Sequence, residues 1–123
     1  MISAIICAFG EQPQLQAAVA AVRATPGVEV IVVDNGSPDC AGLPPDVTLI
    51  EPGHNLGFAG GCNLGASVAH GEVLAFLNSD AIVDPECLEL LAERALTSGG
   101  LVGATVLLAD EPVASLDPAT AAD

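Results

Sequence analysis

Three short groups of residues have the types and placement to do chemistry, and each closes an apolar run. Ala8-Phe9-Gly10 ends the run ISAIICAF at 2–9, Asp34-Asn35 follows VEVIVV at 28–33, and Asn78-Ser79-Asp80 closes EVLAFLN at 72–78. In an open α/β sheet, ligands bind outside the carboxyl ends of strands, where the strand order reverses. Alone, Asp34 or Asp80 reads as a loop carboxylate capping a turn. Together, each after a buried strand, they read as one acid-lined crevice. Such a crevice suits Mg²⁺ or Mn²⁺, which take one or two protein carboxylates and let phosphate oxygens complete the shell. Asp80 is the candidate metal ligand, with Asn78 assisting through its amide oxygen or a water.

These groups need strands to hold them. The runs at 2–9, 28–33 and 72–78 are too continuously apolar to face water on one side, which predicts a mostly parallel sheet covered on both faces. A shorter strand is expected at 47–52 and a last one, LVGATVLL, at 101–108. Between them lie helical patterns. Pro13 opens the first, with Leu15, Val19 and Val22 as its buried stripe. The second covers about 59–70 and is built of small residues. Asp84-Pro85-Glu86 starts the third with an acidic cap and proline at the first helical position, and Leu88, Leu91, Ala92 and Ala95 form its apolar face. The order β-α-β-β-α-β-α-β gives a three-layer α/β/α, Rossmann-like domain over 1–108. An acidic tail of weak pattern, expected to be loose, fills 109–123. If the strand order is 3-2-1-4, the reversal falls between strands one and four and all three groups share one crevice.

Weaker signals surround these. Gly57-Phe58-Ala59-Gly60-Gly61 opens a helix, and its glycines fit a ligand's approach or close helix-on-sheet packing equally well. His54 reads as a solvated loop residue beside that segment, with ligand contact the lesser alternative. His70 reads as a helix C-terminal residue meeting the dipole. Cys7, Cys40, Cys62 and Cys87 have no metal-binding spacing and read as reduced, mostly buried thiols, which suggests a cytoplasmic protein.

Composition bounds the partners. The 123 residues carry 16 acids against two arginines and no lysine, a formal charge of −14. Nothing here replaces counterions on nucleic acid, and no basic amphipathic anchor exists. No segment reaches the length of a membrane span. An anionic ligand must therefore be met by backbone amides, a helix N-terminus or a bound cation.

VIVVDNGSPD (30–39), HNLGFAGGCNLG (54–65) and LAFLNSDAIVDPECLELL (74–91) together resemble the family 2 glycosyltransferases of GT-A fold, most closely their rhamnosyltransferase-like branch. The resemblance runs to about residue 108. It implies inverting transfer of a sugar from a nucleotide-diphosphate donor, a UDP- or dTDP-sugar, to an acceptor hydroxyl, with Mg²⁺ or Mn²⁺. By position, Asp34 is similar to the carboxylate that contacts the base, and Ala8 and Phe9 to the strand end framing the nucleoside. Asn63 is similar to the asparagine beside the donor. Asn78-Ser79-Asp80 stands in place of the DXD motif, with Asp80 as the metal-binding acid. Gly10, Cys62 and Ser79 depart from commoner residues. The catalytic base and acceptor elements lie downstream in the family, and no segment here matches them, so the expectation is a truncated donor-binding part. The alternative is a non-catalytic nucleotide-binding or dimerising domain that buries its sheet edge against a second copy.

Overall fold

A computed structural model describes residues 1–103. The elements in order are β1 (Ile2–Ala8), α1 (Leu15–Arg23), β2 (Val28–Asp34), a single 3₁₀ turn (Pro38–Cys40), β3 (Thr48–Ile50), α2 (Gly57–Val68), β4 (Val73–Asn78) and α3 (Pro85–Ser98). The sheet has the order β3-β2-β1-β4, and every pairing is parallel. Ala8 lies beside Asp34, and Cys7 beside Val33 and Asn78, so the ends of the three longer strands converge.

Alternation along β1 divides the core in two. Ile2, Ala4, Ile6 and Ala8 join Val30 and Val32, the α1 stripe Leu15, Val19 and Val22, and Leu88 and Ala92 of α3 in one cluster. Full burial of a side chain such as Ile6 or Leu15 contributes about 1.5–3 kcal/mol. On the opposite face α2 lies against β1 and β2, and its glycines set the separation. A Cβ at Gly65 would stand 2.6 Å from Cγ2 of Ile5, and one at Gly61 would stand 2.7 Å from Sγ of Cys7. Close packing is thus what these two glycines provide. The third helix begins as its sequence dictates: Asp84 accepts from the Glu86 N–H at 2.9 Å, and Gly99 ends it with φ of 71°.

Three expectations need correction. The first helix starts at Leu15, not at Pro13, because Leu15 N–H turns back to the Gln12 carbonyl at 3.0 Å. The fourth strand is one-sided. Leu74 and Phe76 point to the α2 face and are 41% and 47% exposed, since α2 covers β1 and β2 and stops short of β4. His70 lies beyond the end of α2 and meets a carboxylate instead of the helix dipole. Its N–H donates to Oε1 of Glu29 at 2.5 Å, and its Nδ1 is 3.1 Å from Oε2. Residues 101–103 have no regular structure, and the rest of the expected strand at 101–108, like the tail at 109–123, lies outside the described residues. Among the described residues, no helix is long and apolar enough to cross a membrane.

Candidate functional site

The carboxyl ends of β1 and β2 and the first turn of α2 enclose a pocket of about 210 Å³. It is lined by Cys7, Ala8, Phe9, Asn35, Asn55, Gly57 and Phe58. Two phenyl rings flank it, Phe9 at 59% and Phe58 at 56% exposure, a large apolar area held in water at a strand-end crevice.

Asn35 holds this corner together. Its backbone N–H donates to the Ala8 carbonyl at 2.8 Å, its Nδ2 donates to the Gly57 carbonyl at 3.0 Å, and its Oδ1 accepts from the Leu56 N–H at 3.1 Å. One buried amide thereby ties β1, β2 and the start of α2. Gly57 has φ of 75°, a conformation that favours glycine, and its N–H donates to Oδ1 of Asn55 at 2.8 Å.

A second network fixes the β4 end. Ser79 is buried and donates to Oε1 of Gln12 at 2.5 Å, while Nε2 of Gln12 donates to the Phe9 carbonyl at 2.8 Å. The Gln12 N–H donates to Oδ2 of Asp39 at 2.6 Å. The loop after β4, the loop after β1 and the 3₁₀ turn are therefore one hydrogen-bonded unit. Sequence reasoning missed Gln12, Asp39 and the role of Asn35. The serine in the Asn-Ser-Asp triplet was the available signal, a small hydroxyl that needs a partner once buried.

The residues singled out from sequence divide into groups. Ala8 and Phe9 line the pocket. Asp34 is not part of the pocket wall, and its Oδ1 accepts from the Gly36 N–H at 2.9 Å and the Ser37 N–H at 2.8 Å, so this oxygen shapes its own loop. Asn78 and Asp80 lie exposed at the end of β4, one strand across from Cys7. Asn63 is exposed on α2 and is not part of the pocket wall, and His54 is exposed in the loop before it.

Three thiols are raised above their ordinary range. Burial, then the neighbouring Cys62, pushes Cys7 up to about 12. Burial, then the nearby Asp34 carboxylate, takes Cys40 to about 12. Cys62 is raised by burial, with Cys7 acting in the other direction.

Among the described residues, no group of three or more histidines, cysteines or acids is placed to hold a metal ion. Any cation here would rest on Asp80, with the Asn78 amide oxygen as its neighbour, and would take its other oxygens from a ligand. That donor set fits Mg²⁺ or Mn²⁺ arriving with a diphosphate and does not fit a preformed metal cage.

Residues 3–114 match the family described as Glycosyl transferase family 2. The chain belongs to glycosyl transferase family 2. A Mycobacterium tuberculosis (strain CDC 1551 / Oshkosh) protein described as putative glycosyltransferases is 34% identical over 92 residues, covering 68% of this chain and 27% of its own length. The succinoglycan biosynthesis protein ExoO of Rhizobium meliloti (strain 1021) is 33% identical over 124 aligned positions, covering 94% of this chain and 34% of its own. The chain thus spans about a third or less of these relatives.

Among solved structures, S. aureus TarS 1-349 superposes on this family 2 domain with a TM-score of 0.63 at 21% identity, covering 78% of this chain and 32% of that one. A second S. aureus TarS structure gives 0.64 at 20% identity, covering 80% and 20%. At that identity the likeness establishes the fold, a GT-A arrangement around a mostly parallel sheet.

Proposed function

We propose that this family 2 domain binds a nucleotide-diphosphate sugar across the ends of β1, β2 and β4 and forms the donor side of an inverting sugar transfer. The pocket between Phe9 and Phe58 carries this reading. It lies at the ends of β1 and β2, and the exposed carboxylate of Asp80 follows β4, across the β1–β4 junction where the strand order reverses. In the proposal the nucleoside of a UDP- or dTDP-sugar sits against Ala8 and Phe9, the second oxygen of Asp34 faces its base, and Asn63 flanks the donor from α2. The diphosphate lies toward Asn78 and Asp80. An Mg²⁺ or Mn²⁺ bound there would offset the charge of the departing nucleotide diphosphate. The acceptor hydroxyl attacks the anomeric carbon and gives its proton to a base that we assign to no residue of this chain.

Titration calorimetry with UDP and dTDP tests this. Binding is expected with Mn²⁺ or Mg²⁺ and is expected to fall at least tenfold in EDTA. Asp80→Ala should remove that metal dependence with an unchanged melting temperature, because the side chain is exposed. Equal affinity with and without metal would overturn the role given to Asp80.

A second reading, a dimerising nucleotide-binding module, draws on the outer edge of β4. Among the described residues no strand pairs with that edge, and Leu74 and Phe76 beside it are exposed. Unprotected edges of this kind pair with other strands. A concentration-independent monomer in light scattering would exclude it.

A further inference from the structure

Cys7 and Cys62 come from different layers, a strand and a helix 55 residues apart, yet their sulfurs stand 4.0 Å from each other. Cys7 lies in the wall of the open pocket and is half-buried, and its Sγ also donates weakly to the Phe58 carbonyl at 3.9 Å. Cys62 is buried behind it. Gly61 holds the helix close enough for this meeting. The remaining two cysteines do not share it: Cys40 is buried behind the loop after β2, and Cys87 lies on α3 across the sheet. A disulfide needs the sulfurs to close from this distance to about 2.05 Å.

We infer that Cys7 and Cys62 form an oxidisable dithiol, a modification site that takes low-molecular-weight disulfides of the glutathione class through the pocket. The two cysteines have unequal roles. Burial keeps Cys7 mostly protonated, so the small fraction present as thiolate at alkaline pH, reached from the pocket, attacks one sulfur of oxidised glutathione, and one glutathione thiolate leaves. The Cys62 thiolate then attacks the Cys7 sulfur of the mixed disulfide, and the second glutathione leaves. Both protons pass to solvent or to the released glutathione. Two cysteines are oxidised and one glutathione disulfide is reduced. The product ties the second turn of α2 to the end of β1 and withdraws Sγ of Cys7 from the Phe58 carbonyl. The inference rests on the thiol geometry and not on donor binding.

The chain suits a direct assay, because cleavage after glutamate and aspartate, which spares acids followed by proline, places its four cysteines in four peptides: 1–11, 40–46, 47–72 and 87–89. The folded protein is incubated with oxidised glutathione at mildly alkaline pH, quenched with acid and mapped by mass spectrometry. The expected result is a cross-link between peptides 1–11 and 47–72, with the Cys7 and Cys62 thiols lost together. Cys62→Ser should stop at the mixed disulfide, with one glutathione retained on peptide 1–11. Cys7→Ser should form no cross-link and leave the Cys62 thiol free. A folded protein that keeps all four thiols while the urea-unfolded chain cross-links would overturn the inference. So would a scrambled set of pairings that includes Cys40 or Cys87, or a Cys62→Ser protein that carries no glutathione on Cys7.

Discussion

The seating of α2 on the sheet can be tested with one methyl group. In Gly65→Ala the new Cβ would lie 2.6 Å from Cγ2 of Ile5, 3.4 Å from its Cγ1 and 3.5 Å from Cγ2 of Val33. Ile5 is 1% exposed and Val33 fully buried, so neither can swing aside. Overpacking of this kind costs about 1–3 kcal/mol. Against it, alanine in a helix interior is favoured over glycine by about 1 kcal/mol. The balance is a net loss of about 0–2 kcal/mol, and near its middle a fall in Tm of roughly 4–8 °C. Urea denaturation followed by circular dichroism measures it. A double-mutant cycle isolates the cause. Ile5→Ala alone should cost about 2–5 kcal/mol for its cavity. In the Gly65→Ala background the cost should shrink by about 1 kcal/mol, because the new methyl takes up part of the space. Should Gly65→Ala raise the Tm, as at a free helical site, the close seating of α2 would be refuted.

Two further outcomes follow from the hydrogen bonding. Asn35→Ala leaves the Gly57 carbonyl and the Leu56 N–H without their partner, and should cost about 1–3 kcal/mol in thermal or urea unfolding while loosening the pocket at the α2 start; an unchanged midpoint would show that Asn35 does not tie these elements. At the opposite end of the sheet, burial pushes the Glu29 carboxyl up, but the His70 N–H, the Ser3 hydroxyl at 2.6 Å and the His70 ring more than offset this and lower it from 4.5 to about 2. With a folded value below the unfolded one, its stabilisation is fully present above about pH 4.5 and is lost as pH falls toward 2. Melting curves across that window should therefore be flatter for Glu29→Gln than for the parent, and parallel curves would refute the assignment.

The parts of the fold legible in sequence are those set by local patterns. β1 and β2 announce themselves by unbroken branched and apolar residues, and α3 by Asp84-Pro85 and the Leu88, Ala92 repeat. The alternation of elements points to a parallel sheet, whereas the order 3-2-1-4 enters only as a condition, because the rule for parallel crossovers sets their hand and not the order. What stayed hidden depends on residues far apart in the chain. An apolar run such as VLAFLN reads alike whether one face or two are covered. Leu74 and Phe76 are exposed because α2 lies where Gly61 and Gly65 let it, over β1 and β2. The Ser79–Gln12–Asp39 network joins positions 67 and 27 residues apart, and no periodicity carries that information. Asp34 shows the limit of motif reading. The triplets drew attention to its charge, whereas the structure spends one of its oxygens on the amides of its own loop.

The distribution of charge decides how an anion could be held here. The chain has only two arginines, and Arg23 is paired with Asp46 at 2.9 Å, away from the residues that line the pocket. Arg94 lies on α3, across the sheet from α2. Among the described residues, therefore, no side-chain cation lines the pocket at the strand ends. A diphosphate held at the end of β4 would meet the exposed Asp80. Coulomb repulsion between such groups at 4 Å is about 4 kcal/mol at an effective dielectric of 20, and it must be cancelled locally for the ligand to stay. Backbone amides offer partial charges only, and those of Gly36, Ser37, Leu56 and Gly57 already serve Asp34, Asn35 and Asn55. A divalent cation shared between Asp80 and the phosphates would reverse the sign of the interaction with a single protein ligand. On this argument the affinity for UDP in Asp80→Ala should match that of the parent in EDTA, and the two effects should not add. Additive losses would mean that Asp80 and the cation act on the ligand separately.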